Sequence, residues 1–147
     1  MSDQNFKNHT RFVPLYHYIT STLIVVLLVG SGMGLFHACR DCTNHGGLHN
    51  AMLFFAISLV LFFLWWFCRA FALKAQDRAI RSEENLRHFI ATGNALDSRL
   101  SIGQIVALRF AGDDEFVALA KQAADENLSG KQIKMAIKNW REDNNRV

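Results

Sequence analysis

Between Arg11 and Arg40 there is no Asp, Glu, Lys or Arg, and there is none between Asp41 and Arg69, so two charge-free blocks sit almost end to end. The second contains AMLFFAISLVLFFLWWFC, residues 51–68, in which Ser58 is the only conventionally polar side chain. As a helix this stretch is roughly 27 Å long, close to the hydrocarbon thickness of a bilayer. The first block, YITSTLIVVLLVGSGMGLF, carries hydroxyls and glycines but has the needed length. A chain with a single proline in 147 residues, half of them hydrophobic, places few obstacles in the way of long helices. The expected fold is an all-α membrane protein built on a two-helix transmembrane hairpin. Its expected divisions are an N-terminal segment 1–14, a first span 15–36, a loop 37–49 and a second span 50–68. A juxtamembrane helix 69–93 and a small helical domain 94–147 follow.

Basic residues near the spans set the orientation. Lys7 and Arg11 precede the first span, Arg69, Lys74, Arg78 and Arg81 follow the second, and the loop has only Arg40, so both termini are expected on the cytoplasmic side. Tyr16 and Tyr18 open the first span and Trp65 and Trp66 close the second, as an aromatic belt at one interface requires. Phe36 and His37 before Ala38 fit poorly with signal cleavage or lipidation at Cys39.

The loop HACRDCTNHGGLH concentrates Cys39, Cys42, His45 and His49. The gap between its Cys-x-x-Cys and His-x-x-x-His pairs is two residues, where the zinc-finger pattern has about twelve. A short turn also lacks the helix-on-sheet setting that makes a thiol reactive. A polar hairpin turn supported by Gly46 and Gly47 is the simplest reading; a local disulfide outside the cytoplasm and a metal site are its alternatives.

Beyond the spans, RAFALKAQDRAIRSEENLRHFIAT contains neither proline nor glycine and is expected to continue the second helix into the cytoplasm. On a helical wheel Leu73, Ala79, Ile80, Leu86 and Ile90 share a side, with Asp77, Arg78, Arg81, Glu84 and His88 largely opposite. Gln76, Glu83 and Arg87 form a polar seam within the apolar arc, and Glu83 and Arg87, four apart, have the spacing of an ion pair.

Farther on, LSIGQI and LSGKQI repeat a serine followed three positions later by glutamine, the reciprocal cap of a helix start. With Asp113 or Asp114 capping a helix between them, the tail reads as helices at about 102–111, 114–127 and 130–143. Phe116, Leu119, Ala120 and Ala123, with Ile133, Ala136, Ile137, Trp140, Ile105 and Leu108, are the expected core. If the last helix runs to residue 143, Lys131, Lys134, Lys138 and Arg141 fall on one stripe suited to anionic lipid or an acidic protein.

These stretches, together with QNFKNHTRFVPLYH at residues 4–17, resemble a family of small, uncharacterised two-span inner-membrane proteins of Bacteroidetes-type bacteria. That resemblance implies the bacterial inner membrane and the two-span architecture, and it supplies no catalytic residue.

The expected function is therefore non-enzymatic: a membrane hairpin that presents a helical domain to a protein partner or to a second copy of itself. There is no nucleotide loop, no Ser-His-Asp order and no carboxylate within the spans. Membrane lipids are expected partners, and no cofactor and no nucleic acid is expected. Gly30, Gly34 and Ala38 give the first span a small-residue stripe at which a helix can approach closely, the chain's own second span first of all. The contrasting classes are a periplasmic metal- or redox-sensing loop and a membrane-tethered helix-turn-helix in LAKQAADENLSGKQIKMAIKNWR.

Overall fold

The computed structural model describes residues 5–6, 13–40 and 45–143; the side chain of His45 lies outside the description. Among these residues the structure is helical, with no strand beyond one isolated bridge between Ala111 and Trp140. The chain opens at Pro14 into a wide, π-type turn over Leu15–Thr20. There the Thr20 and Ser21 hydroxyls donate to the carbonyls five residues back, at 2.9 and 3.0 Å. Helix α1 follows at Ser21–Arg40, and α2 is a single 48-residue helix, His45–Thr92. Gly93 ends it at φ +74°, a conformation that favours glycine, with its N–H bonded to the Phe89 carbonyl. The tail comprises α3 (Ile102–Leu108), α4 (Asp113–Asp125) and α5 (Gly130–Ala136).

Both long helices are apolar and extended enough to cross a membrane. They reach further into residues 37–49 than a long loop allows: α1 ends at Arg40 and α2 begins at His45. Cys39 is exposed at the end of α1, whereas Cys42 lies outside the described residues, and the disulfide and metal readings of the loop lie there with it. Among the described residues no three His, Cys, Asp or Glu side chains converge as metal ligands do.

The chain divides within α2 into two compact units, Phe12–Phe71 and a second to which, of the described residues, 5–6 and 72–143 belong. In the first, contacts run in opposite order along α1 and α2. The Tyr16 hydroxyl donates to the Trp65 carbonyl at 2.9 Å with the two rings stacked, and Ser31 and Ser58 share a hydroxyl–hydroxyl bond of 2.8 Å. Falling residue numbers on α2 against rising ones on α1 make this an antiparallel hairpin. Gly32, not Gly30 or Gly34, faces α2, with the Phe55 ring 3.6 Å from where a Cβ would stand. Gly30 and Gly34 look into open space, which corrects the expectation that their stripe packs on the second span. Ser31 shares the inward side with Gly32: its hydroxyl bonds with that of buried Ser58, while Gly30 and Gly34 face outward.

In the second unit the capping boxes at Ser101/Gln104 and Ser129/Gln132 form as the repeated motif requires. Gln104 also reaches across the core, donating from Nε2 to the Leu128 carbonyl at 2.9 Å, so one buried side chain caps α3 and ties down the α4–α5 turn. The core contains the expected Ile105, Leu108, Phe116, Leu119, Ala120, Ala123, Ile133 and Ile137, joined by Leu100, Ala107, Phe110 and Ala111. Trp140 packs against it half-buried, while Ala136 is exposed. Helix α4 is capped by Gly112 rather than by Asp113 or Asp114, which sit in its first turn. A Cβ at Gly112 would stand 2.6 Å from Asp114 Oδ1 and 3.1 Å from the Asn139 carbonyl.

The last helix is much shorter than the periodicity suggests. Ile137 is already extended, at ψ 125°, because the chain beyond it has better partners than another helical turn. The Glu115 carboxylate accepts the Lys138 and Asn139 N–H groups, both at 3.0 Å. The Arg141 N–H donates to the Phe110 carbonyl and the Gly112 N–H to that of Asn139, each at 2.8 Å. Leaving the helix at this point lays the Trp140 ring 5.3 Å from that of Phe110.

Candidate functional site

A polar cluster in the second unit centres on Arg87. Its Nε donates to Asp113 Oδ1 at 2.7 Å, one terminal nitrogen to Glu84 Oε2 at 3.0 Å, and the other to the Ala111 carbonyl at 2.7 Å. The guanidinium also lies 4.1 Å above the centre of the Phe116 ring. Only a planar fork with several donors can serve three acceptors while stacking on a ring. Arg141 approaches the same Glu84 carboxylate from its other oxygen, at 4.0 Å.

The partner of Arg87 is thus Glu84, not Glu83, correcting the pairing expected from four-residue spacing. Glu84, placed by the wheel on the outer face, is buried, while Leu86 and Ile90, placed inside, are exposed. The docked face, Ile80–Glu84–Arg87–His88, is turned by about a quarter of a circle from the one that apolar residues alone select. Asp113 and Arg141, supplied from elsewhere in the chain, make burial of Glu84 and Arg87 affordable, and nothing within α2 announces them.

Two hollows adjoin the cluster. One, of about 490 Å³, is lined by Glu83, Leu86, Arg87, Ile90, Phe116 and Arg141 among others. The second, of about 260 Å³, brings Gln76, Glu83 and Arg141 together with Arg109, Glu142 and Asp143. The polar seam Gln76–Glu83–Arg87 and Arg141 therefore do assemble around neighbouring hollows. Arg109, which the sequence reading missed, lies over the Phe110 ring at 4.7 Å and pairs with Asp143 at 3.2 Å. Its only sequence signal is the adjacent aromatic.

Lys131, Lys134, Lys138 and Arg141 do not form the expected stripe, because α5 stops at Ala136 and the last two lie beyond it. Lys134 turns over the Phe110 ring, 5.6 Å from its centre, while Lys131 and Lys138 are exposed. A third hollow, of about 330 Å³, lies beside His88, Asn94, Asp97 and Lys121. Hydrogen bonds from Arg99 hold the carboxyl of Asp97, one of the hollow's lining residues, down at about 2, and Arg99 also bridges to Asp125 at 2.8 Å.

In chemical terms the Arg87 region is a set of mutually neutralising charges beside exposed apolar side chains. Over residues 1–147 the chain matches, and belongs to, a family of unknown function, DUF6526. No curated protein and no solved structure matches it.

Proposed function

From membership of a family without an assigned activity, we propose a non-catalytic role argued from geometry: a bacterial inner-membrane hairpin that offers its helical tail to protein. Residues 15–40 and 46–68 are the spans in this reading, and both termini face the cytoplasm. The observation that carries it is the outer surface of the Phe12–Phe71 unit. Leu23, Val25, Val26, Phe54, Ile57 and Phe63 are all more than half exposed, and hydrocarbon is the medium that covers such a surface without cost. The basic flank Arg69, Lys74, Arg78 and Arg81 supports the orientation, and the Tyr16–Trp65 stack at the same end of the hairpin suits an interface.

The hollows around Glu83, Arg87 and Arg141, bordered by Leu86 and Ile90, are the surface assigned to protein contact. Because the four basic residues of the tail are dispersed, lipid docking through them is not part of the proposal. Labelling in intact cells, outer membrane permeabilised, with a membrane-impermeant maleimide tests the topology. Cys39 is expected to react, while a cysteine replacing exposed Lys121 is expected to react only after lysis. Labelling of position 121 in intact cells would overturn the reading.

A further inference from the structure

The face of α2 turned away from buried Ile80 and Glu84 carries a heptad, with Leu86 at its edge bordering the hollow beside Arg87. Ala72, Ala75, Ala79, Ser82, Leu86 and Phe89 follow one another at spacings of three and four, the a and d positions of a coiled coil. Leu86 is 58% exposed and Phe89 54%, in a unit that buries Phe110 and Phe116 completely or nearly so. Six charged residues between Lys74 and Glu84 separate them from the apolar block, so they are not part of the lipid-covered surface. The small residues before them permit close approach of a second helix. Ser82 fits such a seam because its hydroxyl already donates to the Arg78 carbonyl at 3.1 Å.

Charge decides what covers this face. In the register set by the heptad, Arg78 is a g position and Glu83 the following e position, five residues on. Both are exposed, and among the described residues neither has an ion pair within its own chain. In a parallel pair of α2 helices the g residue of one copy lies beside the e residue of the other, so Arg78 meets Glu83 twice across the two-fold axis. An antiparallel pair would set Arg78 against Arg78 and Glu83 against Glu83. We propose that the Ala72–Phe89 face of α2 is the seam of a parallel homodimer, with Arg78 and Glu83 selecting the partner and its direction. The inference rests on the membrane reading for one point: copies inserted in one bilayer share an orientation, which holds their α2 helices parallel at high local concentration.

The test uses the full chain in its native membrane, with Cys39, Cys42 and Cys68 replaced by serine. Under mild oxidation Ser82→Cys is expected to yield a disulfide-linked dimer, and Arg81→Cys, one position off the seam, is not. Adding Arg78→Glu to Ser82→Cys is expected to lower the cross-linked fraction about fivefold, since two symmetry-related pairs become repulsive. Combining Arg78→Glu with Glu83→Arg is expected to restore it. Both side chains are exposed and without intrachain ion pairs, so neither reversal threatens the fold. Equal cross-linking at 81 and 82, no cross-linking at 82, or no rescue by the double reversal would overturn the dimer. Alkaline carbonate extraction of the same membranes separates the two readings. Release of the chain would overturn the membrane assignment alone, while cross-linking still decides the seam.

Discussion

In the hairpin Phe54 is 66% exposed and Phe63 51%, whereas in the tail Phe110 is fully buried and Phe116 1% exposed. The two units use one residue type in opposite ways. Burying such a side chain stabilises by about 1.5–3 kcal/mol relative to leaving it in water, and the tail gains this by closing helices around Phe110. The hairpin buries almost nothing within itself, and its interior is marked by a polar pair, Ser31–Ser58. A small polar contact can organise two helices whose apolar surfaces are satisfied from outside, while a small domain in water needs a dry core and closed caps.

Substitution at matched residues breaks or sharpens this contrast most strongly. Phe110→Ala is expected to destabilise the tail by about 3–5 kcal/mol, much of what a small domain has in total. Limited proteolysis should then cut the tail rapidly while the hairpin stays intact. Phe63→Ala, on the outward face of α2, is expected to leave both the tail's digestion and the hairpin unchanged. Equal effects at the two positions would remove the distinction between the units.

Next in size is the Arg87 cluster. Arg87→Ala strands the buried Glu84 carboxylate and the Ala111 carbonyl, and is expected to cost about 3 kcal/mol. Denaturation followed by Trp140 fluorescence measures it, with the hairpin tryptophans replaced. A loss of less than about 1 kcal/mol would show the cluster to be a solvated ion pair.

The smallest effect is that of acid, and it separates the units by composition. Outside Asp41 the Phe12–Phe71 segment has no carboxylate, whereas Asp97 in the tail is held at about 2, below its ordinary 3.8, by hydrogen bonds from Arg99. A depressed carboxyl pKa contributes stability that is present above the unfolded value and lost as pH falls through the folded one. Between pH 4 and 2 the tail should therefore weaken, and Asp97→Asn should flatten part of that fall. An unchanged acid profile in Asp97→Asn would show that the Arg99 contact contributes nothing in solution.

Local rules account for the elements that could be read directly. The two long apolar helices followed from missing charges, the uninterrupted course of α2 beyond Gly47 from missing prolines and glycines up to Gly93, and the starts of α3 and α5 from Ser-x-x-Gln, because each depends on residues only a few positions apart. Periodicity likewise found the inward stripe of α4. What tertiary structure alone decided is wherever a distant group competes with the local pattern. Glu115 captures the Lys138 and Asn139 N–H groups and stops α5 at Ala136, dispersing a stripe that helical spacing would have kept together. Asp113 and Arg141 turn α2 so that Glu84 and Arg87 go inside and Leu86 stays out, and Ser31 and Gly32 take the inward side of α1 while Gly30 and Gly34 face away from their expected neighbour. A helix's own sequence sets its period and its ends; which face it buries depends on charges and hydrogen bonds that only the folded chain brings within reach.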